Sequence, residues 1–253
     1  MRITIYLILL SLLTFIACDK DDDSNPVSPS GETFFALHFD VDNYVETNVD
    51  IYFMTTNLSV IPTVTINGQN MKNFGVYEGS IQGWMYNFSY SNTFNYSVTA
   101  NGKTTSGTIN MPSDPYNVIC NGTLLDEDNI NNISPSNSYN FSWNCNSYDY
   151  FDCKWGYNWT DEYTTNTNIT FYPDDSNYYF FYLAAISGAM MTPGSQPNVS
   201  GSYGKGYVTA ELDYLSYTIS VSSGLTKIIP KDENKEKIFE KFKRNFNELI
   251  FNN

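Results

Sequence analysis

The chain has 253 residues, with 27 Asp and Glu against 13 Lys and Arg, a single His, 21 Tyr and 17 Phe. A net charge of −14 argues against nucleic acid as a partner, because phosphate binding needs a basic patch. The acidity is uneven: residues 18 to 230 hold 22 acidic and 6 basic side chains, whereas 231 to 253 hold 5 and 6. Abundant Tyr, Phe, Thr and Asn with few charges is the usage of a β-rich protein, since aromatic and β-branched residues suit a pleated, half-buried surface.

Residues 3 to 16 are apolar apart from Thr4, Ser11 and Thr14, and one basic residue, Arg2, precedes them. The run falls short of the roughly 20 residues a membrane span needs. It has the layout of a signal peptide, residues 1–17. Its end, Phe15-Ile16-Ala17-Cys18, resembles the lipobox of bacterial lipoproteins, with Phe15 where leucine is preferred. The resemblance implies cleavage after Ala17 and lipid on the Cys18 thiol, hence a lipid-anchored protein of the bacterial outer membrane. Two or more acyl chains anchor stably where one is marginal. The next residues, Cys18-Asp19-Lys20-Asp21-Asp22-Asp23, are similar to the export signal of surface lipoproteins in Bacteroidota, which implies outward display. By composition alone, residues 18–31 form an acidic linker that cannot bury a core.

From residue 32 the chain alternates. Phe35, Leu37, Phe39 and Val41 share one face of a strand; Phe34, Ala36, His38 and Asp40 share the other. Val49, Ile51 and Phe53 repeat the period of two. Thr63 to Ile66 run into Asn67-Gly68, and Phe94 to Ala100 into Asn101-Gly102, both hairpin-turn signals. Trp84, Tyr86, Phe88 and Tyr90 mark a further strand. This spacing predicts an Ig-like or fibronectin-like sandwich over 32–113, ended by Pro112-Ser113-Asp114-Pro115. Residues 114–225 repeat the style, with strands around Tyr139 to Trp143 and Phe151 to Trp159, then at 167–172, 178–186, 204–212 and 214–222. A second sandwich is the simplest reading, and the β region resembles the Ig-like modules of bacterial surface proteins.

The tail differs. Over 230–253, Ile238, Phe239, Phe242, Phe246, Leu249 and Ile250 recur at helical spacing and predict an amphipathic helix of about five turns. Its apolar face has three possible mates: the chain's own sandwich, a partner protein reading residues 232–251, or a membrane surface.

Few residues point to chemistry. His38 is the sole histidine, and no Gly-x-Ser-x-Gly elbow accompanies it, so it reads as an exposed strand histidine rather than a triad member. The acidic groups Asp126-Glu127-Asp128, Asp161-Glu162 and Asp174-Asp175 fall among loop residues, which gives neither a glycosidase pair nor a calcium-loop spacing. No Cys-x-x-Cys pair, phosphate loop or dinucleotide motif is present, so the sequence calls for no metal, no cofactor beyond the lipid at Cys18, and no catalytic residue. With Cys18 lipidated, Cys120, Cys145 and Cys153 are left. Export permits a disulfide. Cys145 and Cys153, on neighbouring expected strands, are the preferred pair, with three buried free thiols as the alternative. Trp84, Trp155 and Trp159 are candidates for stacking on a ligand, or else core residues.

These readings converge on a non-catalytic, surface-displayed lipoprotein that binds protein or glycan. The alternative is an accessory subunit of a cell-envelope complex, docked through the C-terminal helix.

Overall fold

The computed structural model describes residues 32–41, 48–77, 80–125, 138–155, 160–172, 178–220, 224–227 and 235–251. The signal peptide, Cys18 and the acidic linker lie outside them, as do Asp126-Glu127-Asp128, Trp159, Asp174-Asp175 and Pro230. The first eight strands are β1 (Phe34–Val41), β2 (Asn48–Thr55), β3 (Thr63–Ile66), β4 (Gln69–Asn70), β5 (Asn73–Tyr77), β6 (Ser80–Ser89), β7 (Thr93–Ala100) and β8 (Lys103–Asn110). Then come β9 (Tyr116–Cys120), β10 (Thr123–Leu124), β11 (Tyr139–Asn144), β12 (Tyr150–Trp155), β13 (Thr160–Thr164), β14 (Asn168–Phe171) and β15 (Tyr178–Gly188). The series closes with β16 (Val199–Ser200), β17 (Lys205–Ser220), β18 (Gly224–Lys227) and, as the one helix among the described residues, α1 (Lys235–Phe251).

The all-β expectation, with one C-terminal helix, describes the chain. The strands are not distributed as two tandem sandwiches with a sheet pair each. A ten-stranded sheet runs β13-β12-β15-β17-β1-β2-β6-β5, with β16 and β18 also on β17, so it draws strands from both sides of the 112–115 link. Its two halves join through a parallel pairing of β1 with β17, from Phe34↔Lys205 to Val41↔Leu212. Two four-stranded sheets, β4-β3-β7-β8 and β10-β9-β11-β14, complete the set.

Register decides which residues share a face. Leu37 pairs with Val208 and Phe53, and Ala185 pairs with Leu212 and Phe151, so one face of the large sheet carries Leu37, Phe53, Val208, Leu212, Ala185 and Phe151 together. One end of that face packs Phe39, Ile51 and Phe53 against Val64, Phe94 and Val98 of the β3–β8 sheet. The other end packs Phe151, Cys153, Phe181 and Leu183 against Phe141, Trp143 and Ile169 of the β9–β14 sheet. The result is two cores under one shared sheet. Alternation assigns each strand its faces, but partner choice is a tertiary matter that the period of two does not encode. Trp143 is a core tryptophan, edge-on to Phe151 at 5.1 Å.

The short-range signals reappear in the fold. Asn67-Gly68 and Asn101-Gly102 both adopt positive φ, +47° and +79°, then +51° and +73°, as a two-residue hairpin requires. A third such pair, Asn121-Gly122, closes β9 onto β10. The two strands expected at 204–212 and 214–222 are the single β17. A register shift opposite Leu183 and Ala184 resets its alternation near Tyr214, which makes one long strand read as two.

The opposite face of the large sheet is covered by α1. Phe242, Phe246, Leu249 and Ile250 are buried against Ala36, Tyr52, Met54, Ala189, Met191 and Tyr207. Of the three possible mates for the helix, its own sheet is the one it has. No helix among the described residues is long and apolar enough to cross a membrane.

Candidate functional site

Beneath α1 the covered face of the sheet is not uniformly apolar. The β1 alternation that sends Leu37 and Phe39 into one core sends His38 and Asp40 to the helix side. The same alternation places Asp152 and Lys154 of β12, Tyr182 of β15, and Thr209 and Glu211 of β17 there. The ladder registers bring them together: His38 is opposite Thr209, Asp40 opposite Glu211, and Lys154 opposite Tyr182. All except Glu211 are less than a tenth exposed, and the Glu211 side chain is 12% exposed.

The geometry is that of a closed network. Lys241 of α1 donates to Asp152 Oδ2 at 3.0 Å, and Lys154 Nζ stands 3.8 Å from the same oxygen. Lys154 also lies 4.1 Å from the Tyr182 ring centroid, a cation–π arrangement. Tyr182 Oη donates to Glu211 Oε1 at 3.2 Å, and His38 Nε2 is 3.8 Å from Glu211 Oε2. The imidazole packs beside Phe242 and Tyr52, with centroids at 5.6 and 6.2 Å, and those two rings are 6.2 Å from each other. Loss of hydration pushes His38 down to about 4; Glu211 opposes that shift and Lys241 adds to it. The imidazole is therefore neutral near pH 7. Burial works against ionisation of Glu211, but Lys241 above all, then His38, Lys154 and the Tyr182 hydroxyl, hold its carboxyl below the usual range. A cavity of about 50 Å³ lies among these groups, room for a water-sized molecule and too small for a sugar ring.

His38 is thus not the exposed strand histidine the sequence suggested. Alternation placed it off the apolar face correctly, but the helix that covers that face comes from the far end of the chain. The signal that would have found the network is the set of polar residues on the alternate face of β1, β12 and β17, set beside an amphipathic helix in need of a surface. Among the described residues, no group of three or more His, Cys, Asp or Glu side chains is placed to hold a metal ion.

A second feature is open. Where Val41 of β1 pairs with Leu212 of β17, residues of the link from β8 to β9 line a cleft of about 580 Å³. Val41, Met111, Pro112 and Leu212 form its floor; Tyr90, Asn92, Ser113 and Asp114 form its rim. Backbone bonds hold the rim: Met111 N–H donates to Asn92 O at 2.9 Å, and Ser113 N–H to Ser147 O at 2.8 Å.

The other residues singled out by sequence fare differently. Trp84 is half-buried beside Phe239 of α1, centroids 6.1 Å apart. Trp155 lies in β12, opposite Phe181 and Thr160. Cys145 and Cys153 are not bridged; Cys120, Cys145 and Cys153 are free thiols. Cys153 points into the second core, whereas Cys145 follows β11 and donates its S–H to Ser113 O at 3.2 Å. Adjacent strands in the sequence do not guarantee adjacent side chains, because β11 and β12 belong to different sheets.

No protein-family model and no curated protein matches the chain. Among solved structures it is similar to the adhesin InvE of Yersinia pseudotuberculosis, at 12% identity and a TM-score of 0.23, over 72% of this chain and 58% of that one. The chain thus spans less than two thirds of that protein, and a likeness at this level carries no argument about fold or role.

Proposed function

We propose that the protein is a non-catalytic binding module, lipid-anchored at Cys18 and displayed on the outer membrane, and that its protein or glycan ligand sits in the cleft lined by the link from β8 to β9. The observation that supports this reading is the cleft itself. Its volume falls within the roughly 300–1,000 Å³ of ligand sites, and its mainly polar lining, with Tyr90 and Asp114 beside Val41 and Leu212, suits a polar ligand such as a glycan or a protein loop. The buried charge network is a poorer candidate, being closed over by α1. The accessory-subunit role would need a docking face on α1, and its apolar residues are already spent on the sheet.

Two linked measurements test the proposal. Antibody labelling of intact cells should detect the full-length chain and fail for Cys18→Ala and for the triple change of Asp21, Asp22 and Asp23 to Ala. The full chain should then retain ligands from glycan and host-protein panels, and the double variant Tyr90→Ala, Asp114→Ala should lose them with its fold intact. Ligand capture unchanged by the cleft variant would move the site elsewhere. A membrane-bound but unlabelled chain would overturn surface display.

A further inference from the structure

The contact between Lys241 and Asp152 has the makings of a covalent bond. Asp152 is fully buried in the interior of β12, and the lysine nitrogen is 3.0 Å from its Oδ2. We propose that the two side chains condense, within the folded chain, into an amide linking Lys241 Nζ to Asp152 Cγ. Such a bond is independent of any ligand in the cleft.

The step balances without a co-reactant. The Lys241 ammonium gives a proton to Glu211 through a water in the cavity that both line, and the resulting amine attacks Asp152 Cγ, forming the N–C bond. A proton then passes through Glu211 to one carboxyl oxygen, the C–O bond breaks, and that oxygen leaves as water after taking a second proton from the former ammonium. An ammonium and a carboxylate become a secondary amide and one water; nothing is oxidised or reduced.

In bulk water an amine and an acid remain as a salt, because hydration favours the two ions. Here four features act the other way. The partners are held in contact, and well-oriented intramolecular reactions reach effective molarities of roughly 10⁵–10⁸ M. Asp152 has lost its hydration entirely, so the ion pair forfeits much of what stabilises it. Glu211 lines the same cavity as Lys241 and is fixed by the Tyr182 hydroxyl, so a carboxylate is placed to relay a proton through one water there. The cavity of about 50 Å³ beside Lys241 has room for the departing water. Lys154 is the weaker competitor. Its nitrogen is farther away at 3.8 Å and is engaged by the Tyr182 ring. The bond would fasten the last element of the chain to the middle of the sheet, closing a loop whose ends are 89 positions apart.

Peptide mapping of the full chain by mass spectrometry tests this. The expected result is a branched peptide that joins the segment bearing Asp152 to the segment bearing Lys241, lighter than the two together by one water. Lys241→Arg keeps the charge but lacks a nucleophilic amine, and it should return both segments as separate peptides of full mass. The proposal is overturned if the wild-type chain yields the two segments unlinked, or if a water is lost without a branch between them. The wild-type map alone decides the matter, so a variant that fails to fold does not blur it.

Discussion

Replacing His38 with Phe should flatten the acid side of the stability profile. The imidazole is buried beside two aromatic rings and titrates at about 4 in place of 6.5. Its folded pKa lies below its unfolded value, so the unfolded chain binds the extra proton first. Stability is then fully present above pH 6.5 and is lost progressively as pH falls from 6.5 to 4. At about 1.36 kcal/mol per pKa unit, this one group removes about 3 kcal/mol over that window. For a domain of this size that corresponds to roughly 6–12 °C in Tm. Glu211, held below its usual range, adds a loss of the same sign at lower pH, and the share of it owed to Lys241 and Lys154 survives in the variant. The phenyl ring of His38→Phe would keep the stack with Phe242 and Tyr52. Urea unfolding of wild type and variant at about pH 7, 6, 5 and 4 measures the difference. The wild type should lose about 3 kcal/mol more than the variant between the two ends of that series, within the window set by the shift. Equal losses in the two proteins would refute the idea that His38 is held neutral by burial under α1.

Two further outcomes follow from the same face and from the second core. Tyr52 is fully buried, yet its hydroxyl has no hydrogen-bond partner among the described residues. Tyr52→Phe should therefore stabilise the protein by about 1 kcal/mol, the reverse of the usual loss on deleting a polar group, and chemical denaturation at neutral pH would show it. Burial pushes the Cys120 thiol up to about 12 and raises Cys153 too, while Cys145, also raised, is only half-buried. Under native conditions at about pH 8 a thiol reagent should modify Cys145 first and reach Cys120 and Cys153 only with global unfolding. Equal protection of Cys145 and Cys153 that disappears on reduction would instead reveal a bridge.

Much of the local structure was legible. The β1 alternation, the Asn-Gly turns after β3 and β7, and the helical spacing of Phe242, Phe246, Leu249 and Ile250 all survive in the fold. Each is a short-range constraint set by sterics or by one amphipathic face. What was not legible is long-range. Nothing near Phe34 announces that its strand will lie parallel to one beginning at Lys205. The charge network escaped for the same reason: His38, Asp152, Glu211 and Lys241 are far apart in sequence, and each alone resembles an ordinary surface residue. The cleft is equally a product of assembly, since Val41 and Leu212 meet only when the two halves of the large sheet join.

That junction also sets the order in which the chain becomes a protein. β1 is made well before its parallel partner, which trails it by about 170 residues. Until β17 arrives, Leu37, Phe39 and the neighbouring backbone form an exposed, sticky edge beside β2. The polypeptide is therefore committed to late folding. β1 can pair with β2 at once, but its other edge gains its hydrogen bonds only when β17 joins it. A truncation that stops short of Leu212 leaves an aggregation-prone edge where the complete chain has the centre of its largest sheet.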